Sequence, residues 1–358
     1  MKTAMDGLVA ALDKAFGPNS LIELDQGGRI IPIDVLSTGI PSLDYATGVG
    51  GFPRGRIVEV FGPENTGKTT IIIKTMAETQ KRLAKQGKVA RCGFIDMEHA
   101  FDPSLARLHG ANLSKGQGFH FSQPNTGQDA LQMLEVMVDS NLFEIVAVDS
   151  VASLVTQAEY EGKIGDIHIA STAQLMSHTL KKLVGKINKS KTVVIFANQI
   201  RERPAVQYGS NETTSGGRAL KFYASMRLRI ANAGRISEGA DPIGHHMKIS
   251  VVKNKVAPPY QTTVVDLYYR DSVKKERKAG FDIFGDIIAT AQAMGIIELA
   301  GSQYKYIDKS TGEVHKEQGL VKWRKYLEIK TDVADAIVAE IMGRDGMLGD
   351  GCDKEEQE

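Results

Sequence analysis

With 358 residues the chain is long enough for two or three domains at roughly 150 residues each. Its 42% hydrophobic and 24% charged residues are globular proportions, far from disordered or fibrous sequences. Lys and Arg total 44 against 43 Asp and Glu, a net charge of +1, which excludes a whole-molecule positive field as the means of holding nucleic acid. Cys92 and Cys352 lie too far apart in sequence to suggest a disulfide framework or a cysteine zinc site. No run approaches the ~18 apolar residues of a membrane span, so a reducing, cytoplasmic setting without membrane contact is expected.

Taken in chain order, residues 5–16 place Met5, Leu8, Leu12 and Phe16 three or four apart, predicting a short amphipathic helix. Asp6 and Asp13 among its short apolar runs do not make a signal-peptide layout. Gly17-Pro18-Asn19-Ser20 stops the helix, and a turn-rich lead-in with Gly27-Gly28, Pro32, Gly39 and Pro41 follows. From about residue 55 apolar runs alternate with helical stretches, which predicts an α/β fold with a mostly parallel sheet flanked by helices. The predicted strands are 56–61, 89–95, 145–149 and 192–198, and ligands are expected at their carboxyl ends. Beyond residue 198, Met226, Leu228 and Ile230 alternate with Arg227 and Arg229, predicting a strand with one polar face. Gly- and Pro-bearing loops are expected at 232–244, strands near 247–252 and 262–268, and a linker at 274–280. Residues 281–343 read as a small α+β domain. Charge is unevenly spread. Six basic residues stand against Glu202 and Glu212 between positions 201 and 229, and five acids against Lys354 between 350 and 358.

Gly62-Pro63-Glu64-Asn65-Thr66-Gly67-Lys68-Thr69 has the spacing of a phosphate loop, with a predicted strand before it and a helical run at 70–82 after it. The glycines let backbone N–H groups turn toward phosphate oxygens, and the new helix presents its positive end. Lys68 would neutralise β/γ-phosphate charge and Thr69 would hold Mg²⁺. Ile145-Val146-Ala147-Val148-Asp149 is an apolar strand ending in the carboxylate such a site needs, so Asp149 is the second expected magnesium contact. On the run 94–98, Asp96 and Glu98 point the same way, and either could activate the attacking water or cap the next helix. Asn198-Gln199-Ile200-Arg201 offers an amide to the γ-phosphate. The polar stretch 202–217 carries Tyr208 between flanking basic residues, as a groove for single-stranded nucleic acid would, or as a solvated loop would. The eight histidines lack metal-ligand spacing, and His245-His246 reads as surface.

These runs together resemble the bacterial RecA-type recombinases over residues 1 to about 335. The likeness is carried by Ser37-Thr38-Gly39, Ser42-Leu43-Asp44, Gly55-Arg56-Ile57-Val58-Glu59, Gly62 to Thr70, Asp96 to Pro103 and Val148-Asp149-Ser150. It continues in Glu161 to Asp166, Asn198-Gln199-Ile200-Arg201, Glu212 to Ser225 and Val251 to Lys255. The resemblance implies a DNA-dependent ATPase that forms a helical filament on single-stranded DNA and catalyses pairing and strand exchange with duplex DNA in recombination and repair. It selects Glu98 as the catalytic carboxylate and Gln199 as γ-phosphate sensor. Lys253 and Lys255 become lysines offered to a neighbouring subunit's ATP, and Thr70, Asp102 and Tyr269 join the nucleotide contacts. DNA contacts are implied for Glu161, Gly162, Ile164, Gly165, His168, Ile169 and Ser177. A second set comprises Arg201, Arg203, Tyr208, Thr213, Thr214, Ser215, Gly216, Gly217 and Arg218.

The implied organisation is an oligomerisation segment at 1–34, an ATPase core at 35–272, a DNA-gathering domain at 273–343 and an acidic tail at 344–358. Lys316, Lys322, Arg324, Lys325 and Lys330 are candidates to gather duplex phosphates, with Trp323 in the core. The chain departs from the family pattern at Leu105, where an adenine-stacking tyrosine is expected, and at Ile169, Gln174 and Pro204. Two rival readings are a ring-forming motor of the same superfamily and a non-catalytic filament scaffold. The Lys253-Asn254-Lys255 run with the C-terminal module disfavours the first, and intact Lys68, Glu98 and Asp149 disfavour the second.

Overall fold

A run such as Ile145-Val146-Ala147-Val148 is apolar on both faces, so it is stable only as a strand covered above and below. The structure, a computed structural model, describes residues 4–17, 20–21, 33–163, 171–202, 212–274 and 276–343. The chain divides into two units, Met1–Pro32 and Ile33–Glu358. The first contains helix α1 (Ala4–Phe16), on which Met5, Leu8 and Phe16 are exposed.

The second unit begins with β1 (Val35–Leu36), α2 (Pro41–Ala46), β2 (Phe52–Pro53), β3 (Ile57–Gly62), α3 (Lys68–Lys85), β4 (Cys92–Asp96) and α4 (Pro103–Leu108). Next come β5 (Phe119–Ser122), α5 (Gly127–Asp139), β6 (Ile145–Asp149), a 3₁₀ turn (Val151–Ser153), α6 (Gln157–Glu161) and α7 (Ser171–Ser190). They lead to β7 (Val193–Glu202), β8 (Glu212–Thr214), α8 (Ala219–Tyr223), β9 (Met226–Glu238), β10 (Asp241–Asn254), β11 (Thr262–Tyr268) and β12 (Gly280–Phe281). The last part holds α9 (Ile283–Ala293), β13 (Glu298–Ala300), β14 (Gln303–Ile307), β15 (Val314–Gln318), α10 (Leu320–Ile329) and α11 (Thr331–Gly343).

Among the described residues a ten-stranded sheet runs β12-β11-β10-β9-β3-β7-β6-β4-β5, with β8 paired to β7 off that path. The strands from β9 to β5 are parallel, and β10, β11 and β12 extend the sheet antiparallel. Side chains alternate along β3: Val58 and Val60 join a cluster with Ile71, Ile72 and Met76 of α3. Ile57 joins the opposite cluster, with Leu134 of α5 and Leu183 of α7. Register then sets the site. Asp96 pairs with Asp149 across β4 and β6, and Gly62 with Gln199 across β3 and β7, so the polar strand ends share one edge.

Two expectations are corrected. Residues 232–244 are not loops: they belong to the long arms of the β9–β10 hairpin, which turns at Gly239-Ala240 and absorbs its irregular residues as bulges. The polar face expected on β9 is present, with Arg227 buried there in an ion pair with Glu59 of β3. His245 is buried at 1% exposure rather than lying on the surface.

In the C-terminal part β13, β14 and β15 form an antiparallel sheet, and Trp323 is fully buried between Tyr304 and Tyr326, as expected. Arg324, by contrast, is not free for DNA: it is buried and pairs with Asp282 and Glu328. Lys325 pairs with Glu276, while Lys316, Lys322 and Lys330 are exposed.

This part meets the core through a capping carboxylate. Helix α2 has no side-chain cap of its own, and Asp286 of α9 accepts the Ser42 N–H at 2.8 Å. Burial lifts the Asp286 carboxyl to about 7, against the lowering effect of its Ser42 hydrogen bonds. A carboxyl that binds its proton more tightly folded than unfolded loses stability as pH rises through the intervening window. Wild type should therefore gain on Asp286→Asn as pH falls from about 7, by up to roughly 1.4 kcal/mol per pH unit, in urea midpoints measured across that range.

Candidate functional site

Two glycines let the loop between β3 and α3 lie against the sheet. A Cβ on Gly62 would come 2.3 Å from the Ile230 carbonyl oxygen, and one on Gly67 would come 2.3 Å from Met247 Cε. Gly67 also has φ +90°, open to glycine at little cost. The loop feeds α3, whose first turn has no side-chain cap, so its N–H groups are available to an anion. Thr66 Oγ1 and Lys68 Nζ both donate to the Pro63 carbonyl, at 2.8 and 2.7 Å.

Glu64, Asn65, Gly67, Lys68, Thr69, Thr70, Glu98, Asp149 and Gln199 line one cleft of about 390 Å³. Thr69 Oγ1 donates to Asp149 Oδ2 at 2.5 Å, giving two oxygen ligands side by side, a donor set suited to a hard cation such as Mg²⁺. Among the described residues no cluster of three or more His, Cys, Asp or Glu side chains is placed to hold a metal by itself. Burial pushes Asp149 up to about 6, and the charges of Glu98 and Asp96 add to this while the Thr69 hydroxyl and Lys68 oppose it. Burial also holds Lys68 below its ordinary value against the pull of Asp149, Glu98 and Glu64.

The pair Asp96 and Glu98 separates in the structure. Asp96 is buried and accepts from the Glu98 and Phe101 N–H groups and from Gln123 Nε2, each at 3.0 Å, so it ties the turn after β4. Glu98 is exposed to the cleft, where its Oε1 accepts from Ser150 Oγ at 2.5 Å and from Gln199 Nε2 at 3.3 Å. A carboxylate opposite Lys68 and beside an amide is arranged to take a proton from water.

Several expected residues lie elsewhere. Asp102 caps α4 by accepting the Ser104 N–H, and Tyr269 bonds His245 Nδ1 at 2.7 Å; neither lines the cleft. Lys253 donates to the Lys221 and Phe222 carbonyls at 2.8 and 2.9 Å, and Lys255 to Phe222 at 3.4 Å, at the end of α8. Burial lowers Lys253 to about 8, helped by Lys255 and Arg227. Glu161 ends α6, Gly162 follows it, and Ser177 is exposed on α7. Thr214 ends β8, Ser215, Gly216, Gly217 and Arg218 link it to α8, and the backbones of Arg201 and Thr213 pair across β7 and β8. Ile164, Gly165, His168, Ile169, Arg203 and Tyr208 lie outside the described residues.

Sequence reasoning gave no role to Ser150 or His245. Ser150 follows the strand-ending Asp149 directly, which was a usable signal. His245, whose ring neighbours the Thr66 backbone and is held below its ordinary pKa by burial, had none.

The family model of the RecA N-terminal domain matches residues 3–274. Protein RecA of Halalkalibacterium halodurans is 40% identical over 349 residues, which is 98% of this chain and 93% of that protein. Protein RecA of Listeria welshimeri is 41% identical over 354 residues, 99% of this chain and 94% of that protein, and Listeria monocytogenes Protein RecA gives the same figures. Among the described residues no helix is long and apolar enough to cross a membrane. A full-length likeness joined to this cleft leaves one conclusion: the chain belongs to the RecA family, the filament-forming, DNA-dependent ATPases of recombination and DNA repair.

Proposed function

We propose that the cleft binds ATP with Mg²⁺ and hydrolyses it between adjacent copies of a filament on single-stranded DNA, which then pairs with duplex DNA in the cytoplasm. The convergence of Lys68, Thr69, Glu98, Asp149 and Gln199 on one cleft supports this reading. Thr69 and Asp149 would hold Mg²⁺, whose charge would offset that of the β- and γ-phosphates. The Gly62 to Thr70 backbone and the start of α3 hold the phosphates, and Lys68 neutralises charge on the γ-phosphoryl group. Glu98 accepts the proton of the attacking water. Gln199, bonded to Glu98, registers the γ-phosphate. Asp102 and Tyr269 are read as contacts to the rest of the nucleotide.

Lys253 and Lys255 act on the neighbouring copy's ATP, as an arginine finger supplied in trans does. Neither lines the cleft of its own chain. The DNA contacts fall in two sets, residues 161–177 and 201–218. Residues 1–34 join neighbouring copies, 273–343 gather duplex DNA through Lys316, Lys322 and Lys330, and 344–358 is the acidic tail.

The primary test is ATP hydrolysis with and without single-stranded DNA at two salt concentrations. Strong, salt-sensitive stimulation is expected; DNA-independent hydrolysis would move the motor reading to the front. In the Lys253→Ala/Lys255→Ala double variant, nucleotide binding should persist while DNA-stimulated turnover drops by about 10³-fold or more. Unchanged stimulation would remove the trans-lysine assignment.

A further inference from the structure

The floor beneath the phosphate loop holds a titratable side chain with no part in the chemistry so far. Gly67 packs against Met247 of β10, and His245, two residues earlier on that strand, is buried with its ring beside the Thr66 backbone. Its Nδ1 is bonded to the Tyr269 hydroxyl at 2.7 Å, and the two ring centroids lie 5.5 Å apart. Its Nε2 is buried and makes no hydrogen bond. A buried polar atom without a partner is uncommon, and at the back of a binding loop it suggests a contact completed by the ligand.

The groups around the ring bear on its charge. Burial holds His245 below its ordinary pKa, so the ring is mostly neutral at pH 7. The Thr66 backbone opposes this, as a carbonyl oxygen beside the ring does, while His246 adds to the lowering and Asp266 of β11 opposes it. Across the sheet its partners are Arg235 of β9, which is exposed, and Leu267 of β11. On the loop side Glu64 and Lys68 line the cleft. An anion held in the loop offsets the cost of charging the buried ring. An imidazolium donates from both nitrogens, so the charged ring keeps Tyr269 through Nδ1 and offers Nε2–H to Thr66.

We propose that His245 is a positioning residue that takes up a proton from solvent when nucleotide phosphates enter the loop, its charged ring then bracing the Thr66 peptide beneath them. The proposal rests on reading the cleft as the nucleotide site. Phosphate and proton favour each other by the same factor, whichever binds first. The sign follows from the charge: the contribution of His245 to nucleotide affinity grows as pH falls toward 6.5 and fades toward pH 8, where the ring is neutral with or without nucleotide.

The test uses Mg·ADP, which is not hydrolysed, on the full chain without DNA. Calorimetry in two buffers of different ionisation enthalpy counts the protons exchanged on binding. At pH 6.5 wild type should take up about half a proton more than His245→Gln, which keeps a donor but cannot become charged. Subtracting the variant removes protons moved by Asp149 or by the nucleotide itself. Between pH 8 and pH 6.5 wild-type affinity should accordingly gain about threefold on the variant. Equal proton counts, or a variant weaker by the same factor at both pH values, would make His245 a packing residue only and overturn the proposal. Wild type that binds no Mg·ADP would sink the nucleotide reading and this proposal with it, whereas binding without His245-dependent uptake sinks the proposal alone. Exchange of the imidazole C2 hydrogen, resolved by residue in wild type, covers the case of a variant that does not fold. The titration midpoint of His245 should rise by about one pH unit on adding Mg·ADP, and an unmoved midpoint would equally overturn the proposal.

Discussion

Lys68→Ala should lower ATP turnover by something on the order of 10²–10³-fold, the usual cost of losing one preorganised charge donor at a reacting centre. Lys68 opens α3, and its stem is held in a turn whose glycines pack on Ile230 and Met247. Its ammonium donates to the Pro63 carbonyl and lines the cleft together with Asp149 and Glu98. Because burial already depresses its pKa, it is less compensated by water than a surface lysine and correspondingly stronger toward phosphate oxygens. The variant should also lose nucleotide affinity, measured with a fluorescent ATP analogue. Wild-type turnover by Lys68→Ala would show that hydrolysis occurs elsewhere.

Glu98→Gln should separate binding from chemistry. The amide keeps the size of the side chain and can still accept from Ser150, so nucleotide affinity should stay within about threefold while turnover falls by about 10²–10⁴-fold, the range of general-base catalysis. Asp96→Asn provides the contrast. Asp96 accepts three hydrogen bonds in the turn after β4, so its replacement should act on stability and on both kinetic parameters together. Measuring kcat, KM and melting temperature for both variants decides between the two carboxylates. Equal loss of turnover without a stability difference would return Asp96 to the catalytic role.

The difference between these two residues shows how far local reasoning reaches. A strand of period two puts Asp96 and Glu98 on one side, and nothing in the run 94–98 says which carboxylate the next turn will consume. The decision comes from Phe101 and Gln123, whose donors reach Asp96 only after the chain has turned and β5 has paired. The arginines of β9 carry the same lesson. Alternation of Arg227 and Arg229 with apolar residues predicts a polar face but not what it meets; the neighbouring strand supplies Glu59, so Arg227 is paired and buried. Likewise Gly and Pro at 232–244 signal loops, whereas pairing with a second long strand tolerates them as bulges.

By itself, then, the sequence determined what depends on short-range geometry. The expected phosphate loop is contiguous, with its glycines and Lys68-Thr69 spaced by backbone sterics, and Asp149 at the end of an apolar strand becomes a candidate once it is read beside that loop. The order of apolar and helical runs also determined the α/β class, because a parallel sheet must be covered on both faces. Only the tertiary structure decided which polar residues are free to act. It committed Asp96 to a turn, Arg324 to Asp282, His245 to Tyr269 and Asn198 to Glu59 and Ser215. The reason is that a buried polar group must find a partner, and apart from the nearby Asp96 turn these partners lie from 17 to 139 residues away in sequence, where no local pattern can announce them.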